Sequence, residues 1–216
     1  SQLNQKSNQL ARVLRGSGVQ ANDPVAILVN KSVDMIFGIF GILKAGGAYV
    51  PLDPEYPEQR INFIIKDSGC RFLLLQDKFV HINIDGVTNI NLNNSFSYHP
   101  IANDLEYINH SSDLAYIMYT SGTTGIPKGS MIRHFSVVRL VRNTNYIELK
   151  PDDRILLTGA IVFDAITFEI WGALLNGGTL YLVEKMIILD PDALGAALKK
   201  HKITIMWLTS SLFTHI

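Results

Sequence analysis

A single cysteine, Cys70, stands in the 216 residues, so no internal disulfide can hold the fold, and the chain suits a reducing, cytoplasmic setting. Cys70 lies between Gly69 and an apolar strand and reads as a small buried hydrophobe, not a nucleophile. Net charge is also missing: 19 basic side chains balance 19 acidic ones. The one short cationic run, Lys199, Lys200, His201 and Lys202, reads as a solvated helix end, too small to neutralise a phosphate backbone, so no nucleic-acid partner is expected. Long apolar runs are absent as well. The longest uncharged one, Met35 to Leu43, is less than half of the roughly 20 residues a spanning helix needs, and no basic-then-apolar leader opens the chain, so no membrane association is expected. The six histidines (His81, His99, His110, His134, His201 and His215) show no metal-ligand spacing, and no metal site is expected.

What the chain does have is apolar material, 47% of it, with 18% charged side chains, enough for a globular core. Its pattern alternates helix and strand with short connections, the mark of parallel sheets flanked by helices. Leu3, Leu10, Val13 and Leu14 mark one helix face, ended by Gly16 and Gly18, and Pro24 to Val29 follows as a strand. Ser32 can cap a helix running to Lys44, in which Gly38 and Gly41 permit close packing against the sheet. Pro57 to Ser68 predicts a helix feeding the strand Phe72 to Leu75. Residues 81 to 109 have no strong period and read as strand plus loop. Beyond them come a strand at Leu114 to Tyr119, a helix around Phe135 to Val141, a strand at Arg154 to Thr158 and a helix at Ala165 to Leu175. A strand at Thr179 to Val183, a helix at Pro191 to His201 and a strand at Ile203 to Thr209 complete the alternation. Pro100, Asn103, His110, Ser111 and Ser112 collect at a candidate joint, which divides the chain into a first α/β portion, 1–110, and a second, 111–216.

The segment Thr120-Ser-Gly-Thr-Thr-Gly-Ile-Pro-Lys-Gly129 follows the buried strand and reads as a loop leaving its end. Gly122, Gly125 and Gly129 let backbone approach an anion, Thr120, Ser121, Thr123 and Thr124 offer hydroxyls, and Lys128 adds a positive charge. By composition alone a plain Gly/Ser/Thr surface loop is an equal reading. The G-x-x-x-x-G-K-[ST] phosphate loop fails: counting from Gly122, the second glycine slot falls on Pro127, and Gly129 follows Lys128 where Ser or Thr should stand.

This segment resembles the signature loop of the adenylate-forming, AMP-binding superfamily, and the chain is most similar there to amino-acid adenylation domains of nonribosomal peptide synthetases. Ile42-Leu-Lys-Ala-Gly-Gly-Ala-Tyr-Val-Pro-Leu-Asp-Pro-Glu-Tyr-Pro57 with Arg60 resembles the family's second core motif, and Phe163-Asp-Ala-Ile-Thr-Phe-Glu-Ile-Trp-Gly172 its fourth. Leu3, Asn4, Asn8, Gln9, Leu10 and Ala11 resemble its first. Ile166 stands where the family often has Ser, and Ser130-Met131 where it usually has Val-Met.

The resemblance implies the large N-terminal α/β domain of such an enzyme, with the C-terminal remainder outside this chain. It implies ATP-dependent activation of an amino acid as its aminoacyl adenylate, with release of pyrophosphate, for loading onto the phosphopantetheine arm of a peptidyl carrier protein. Thr120, Ser121, Gly122, Thr123, Thr124, Gly125, Lys128 and Gly129 would hold ATP phosphates, with Thr123, Thr124 and Lys128 steadying the leaving pyrophosphate. Asp164 would pair with the substrate's α-ammonium group; its competing reading is a helix cap. Ala165 and Phe168 would line the side-chain pocket, the other positions of which fall beyond residue 216, while Glu169 and Trp171 read as structural. Magnesium would take its ligands mostly from outside the chain, and because the family's later motifs are missing from it, residues 1–216 alone are expected to be inactive or nearly so. A short non-catalytic nucleotide- or partner-binding protein, and an acyl or aryl acid ligase, are the alternatives.

Overall fold

The computed structural model describes residues 1–121 and 126–215. Local capping chemistry sets the first helices. The Ser1 hydroxyl accepts from the Asn4 amide to open α1 (Gln2–Gly16), which buries Leu10, Ala11 and Leu14. After β1 (Pro24–Leu28), the Ser32 side chain accepts from the Met35 amide to start α2 (Val33–Ala45), and Gly46 closes it in a left-handed conformation at φ 102°. β2 (Ala48–Leu52), α3 (Glu58–Ser68), β3 (Phe72–Leu75) and β4 (Thr88–Asn91) follow, then β5 (Leu114–Ser121) and β6 (Pro127–Arg133). These six strands form one sheet in the order β4-β3-β1-β2-β5-β6, all parallel except the β5–β6 pair, which is antiparallel.

β2 has no counterpart in the sequence reading, and its Pro51 is a residue that central strands rarely hold. The sheet tolerates it because β2 pairs with β5 only at Tyr49 opposite Tyr116, so no amide is required of Pro51 by a continuous ladder on that side. β6 was expected as loop. Instead Pro127 and Gly129 begin a strand at the sheet's edge, the one place where a missing amide and a missing side chain cost little.

Residues 100–112 do not separate compact bodies. They lie along α1: the Asn8 amide donates to the Ala102 carbonyl at 2.8 Å, and the Arg12 and Arg15 guanidiniums donate to the carbonyls of Asn103 and Glu106, each at 2.9 Å. Asn4 and Asn8 also donate to Asp104 at 2.8 and 2.9 Å, and these bonds hold its carboxyl below the ordinary range. Between the same two asparagines sits Lys44, whose ammonium donates at 2.5 and 2.6 Å and is pushed down in pKa by burial. The chain divides instead into compact units Ser1–His134 and Phe135–Ile216, at the start of α4 (His134–Val141).

In the second unit, β7 (Arg154–Leu157) is flanked by β8 (Thr179–Leu182) and β9 (Ile205–Met206), all parallel. Helices α5 (Ala165–Leu174), α6 (Lys185–Leu189), α7 (Pro191–His201) and α8 (Ser210–His215) complete it. β9 is shorter than the predicted Ile203 to Thr209. At one end the Ile203 amide is spent closing α7, on the Leu198 carbonyl; at the other the Thr209 carbonyl accepts from Phe213 to begin α8.

The α2 glycines serve two different neighbours. A Cβ on Gly38 would meet Ile27 Cδ1 at 2.7 Å, on the sheet, whereas one on Gly41 would meet Leu10 Cδ2 at 2.5 Å, on α1. Gly41 therefore sets the α1–α2 approach and not the sheet contact the sequence suggested. Gly41→Ala should destabilise the protein by about 1–3 kcal/mol despite better helix propensity, because Leu10 is fully buried and has nowhere to go. A urea-unfolding midpoint at or above the wild-type value would contradict this.

Candidate active site

Two groups of side chains, one in each unit, stand at the carboxyl ends of parallel strands, where open α/β sheets hold ligands. The first leaves β5. Thr120 lies opposite Lys128 and Ser121 opposite Pro127, with Tyr119 opposite Gly129. Thr120 and Lys128 are exposed, and neither side chain has a hydrogen bond or ion pair among the described residues. Lys128 is thus a cation held on a strand, available to an anion. Gly129 is required by its neighbours, since a Cβ there would lie 2.9 Å from Ile117 Cγ2 and 3.1 Å from the Tyr119 ring. Gly122, Thr123, Thr124 and Gly125 lie outside the described residues.

The second group surrounds the end of β7. Asp164 occupies the position before α5 with helical dihedrals, φ −63° and ψ −29°, and its side chain makes no capping bond. Its exposed carboxylate has no hydrogen-bond partner among the described residues, so the cap reading has no support in the geometry. The next residue, Ala165, and the buried Phe168, one turn after it, share a helix face. Phe168 packs on Trp207, just past β9, with ring centroids 5.5 Å apart, and on Tyr146 at 6.4 Å. Trp207 carries no local signal in the sequence; its pairing with Phe168 exists only because β9 lies beside β7.

Glu169 is fully buried and shapes the same strand end. Its Oε1 accepts from the Thr158 amide at 3.0 Å and lies 2.5 Å from the Thr158 hydroxyl, while Oε2 accepts from the Gly159 amide at 3.1 Å. That hydroxyl also lies 2.9 Å from the Trp207 carbonyl, so one carboxylate ties α5, the end of β7 and the segment after β9 together. Trp171 is buried in α5, in keeping with its structural reading. His134 starts α4 half-buried, 3.4 Å from the Asn109 amide, and burial lowers its pKa more than Asp113 raises it.

Residues 1–216 match the model of the AMP-binding enzymes along their whole length. The chain belongs to the AMP-binding enzyme family. Gramicidin S synthase 2 of Brevibacillus brevis is 51% identical over 215 residues, a match that takes in 100% of this chain and 5% of that synthase. The nonribosomal peptide synthetase FmoA3, solved with α-methyl-L-serine-AMP bound, superposes with a TM-score of 0.85 at 27% identity, covering 94% of this chain and 23% of that one. The N-terminal subdomain of Klebsiella oxytoca NpsA, solved with 3-hydroxybenzoyl-AMSN, gives a TM-score of 0.85 at 25% identity, covering 98% of this chain and 53% of that one. This chain therefore spans a minor part of the synthetases it matches.

In this member of the AMP-binding enzyme family, Glu169→Ala should lower stability by about 3 kcal/mol, because the Thr158 and Gly159 amides lose their acceptor in a buried place. Glu169→Gln keeps one carbonyl acceptor and should lose less. Urea denaturation distinguishes the two; an alanine variant as stable as wild type would refute the buried-acceptor role.

Proposed function

We propose that this chain forms the N-terminal part of an amino-acid adenylation domain, in which a substrate carboxylate oxygen attacks the α-phosphorus of ATP. An O–P bond forms, the bridging bond to the β-phosphate breaks, and pyrophosphate leaves with the electron pair. The aminoacyl adenylate is then loaded onto the phosphopantetheine arm of a peptidyl carrier protein. The identity to gramicidin S synthase 2 and the α-methyl-L-serine-AMP held by FmoA3 support the reading.

The observation that carries it is Asp164: a carboxylate at the N-terminus of a buried helix, making no cap bond, with Phe168 one turn further along that helix and packed on Trp207. A substrate ammonium supplies the partner it lacks, and Ala165, Phe168 and Trp207 bound the space for a side chain. Thr120 and Lys128, together with the hydroxyls and backbone of Ser121 to Gly125, hold the β- and γ-phosphates and offset the charge that grows on the leaving group. Magnesium, if bound with the nucleotide, would supply neutralisation of phosphate charge. Among the described residues no three His, Cys, Asp or Glu side chains gather to hold a metal.

An aryl acid is the second reading, favoured by the 3-hydroxybenzoyl-AMSN held by NpsA, a ligand without an α-amine. Asp164 separates the two. In the enzyme that carries this chain, Asp164→Ala should cut amino-acid-dependent pyrophosphate exchange by about 10²-fold, roughly the value of one charge-assisted pair. Undiminished exchange with amino acids would sink the ammonium assignment, and preference for the des-amino acid in the wild type would select the aryl acid reading. Lys128→Ala, or Thr123→Ala with Thr124→Ala, should instead raise KM for ATP, and residues 1–216 alone should give no exchange.

A further inference from the structure

The hairpin that carries Thr120 and Lys128 is laddered far more fully within itself than to the rest of the sheet. β5 pairs with β2 only at Tyr49 opposite Tyr116, whereas it pairs with β6 from Leu114 to Ser121. Past Tyr116 the ladder to β2 is not continued, so this stretch of the hairpin relies on side-chain packing to hold its pitch against the sheet. Something must fix it from the side.

Two features do so. Ile117 and Tyr119, on one face of β5, are 6% and 5% exposed and enter a cluster that joins Ile61, Ile64 and Ile65 of α3 to Val50 and Leu52 of β2. At the rim of that cluster the Tyr119 hydroxyl donates to Asp67 Oδ2 at 2.6 Å. Asp67 is exposed on the last turn of α3, so the bond joins the helix end to the ribbon at the residue preceding Thr120. The ring also lies across Gly129, the neighbour of Lys128 on β6, so its position bears on both strands. Burial, followed by the bond to Asp67, raises the Tyr119 pKa well above the ordinary tyrosine value, so the phenol remains a donor at neutral pH.

We propose that Tyr119 and Asp67 are a positioning pair for nucleotide: the bond sets the pitch of the β5–β6 ribbon and with it the placement of Thr120 and Lys128 against the phosphates. This rests on the adenylation reading above and adds to it two residues that touch no substrate. Tyr119→Phe keeps the buried ring and deletes the hydroxyl, which also meets the Ser68 side chain; Asp67→Ala deletes the acceptor at an exposed site; Asp67→Asn keeps an acceptor oxygen.

The test is steady-state pyrophosphate exchange in the enzyme that carries this chain, with ATP binding measured in parallel by calorimetry. Tyr119→Phe and Asp67→Ala should each raise KM and Kd for ATP about five- to tenfold, one disordered contact's worth, with KM for the amino acid within about twofold. The double variant should be no worse than either single one, and Asp67→Asn should recover most of the loss. Unchanged ATP constants in both single variants, equal rises in the ATP and amino-acid constants, or additive losses in the double variant would each overturn the pair. If Tyr119→Phe fails to fold, Asp67→Ala decides alone. A wild-type enzyme that binds no ATP would overturn this inference and the adenylation reading together, whereas intact wild-type exchange with indifferent variants removes the inference only.

Discussion

Two parallel strands cannot be joined by a tight turn, so each must pass its chain to a crossover, and the carboxyl ends of the strands open into connecting segments. In this chain that constraint decides where chemistry can be placed. β1, β2 and β3 are buried along nearly their whole length, and β7 is buried from Ile155 to Leu157, so a charged side chain mid-strand would be stripped of water without a partner. Asp164 and Trp207 stand past the ends of β7 and β9, and Thr120 stands at the end of β5. The apolar core and the exposed polar ends are two results of one topology.

The parallel rule is broken once, and the exception is informative. β6 returns antiparallel along β5, which a short hairpin permits. The arrangement puts Lys128 on an edge strand opposite Thr120, where a cation is both tolerated and exposed. It also imposes Gly129, because the rings and methyls that anchor β5 to α3 occupy the space a side chain would take. The glycine in the motif is therefore there for the Tyr119 ring as much as for any anion.

Local chemistry in the sequence located most elements. Ser32 as a cap, Gly46 and Gly69 as left-handed ends, and Asp190, which accepts from the Asp192 and Ala193 amides at the start of α7, act within one helical turn and can be read in order along the chain. β2 and β6 could not be read that way. Pro51, Pro127 and Gly129 are poor strand residues, and only the short β2–β5 ladder and the edge position of β6 explain their tolerance. In the same way, residues 100–112 look like a joint by composition, yet the asparagines and arginines of α1 bind them down.

The sequence by itself determined the family, the alternation of helix and strand, and the residue types able to meet phosphate and ammonium, because motif chemistry and capping are short-range and survive in linear order. Tertiary structure decided which competing role a residue takes. Asp164 had the identity of a cap and the geometry of something else; Glu169 became the buried tie of a strand end; Trp207 met Phe168 across adjoining strands; Tyr119 reached Asp67 on a different helix. Each of these depends on elements brought together by sheet order. Sheet order is a property of the packed core, which no local run of residues contains.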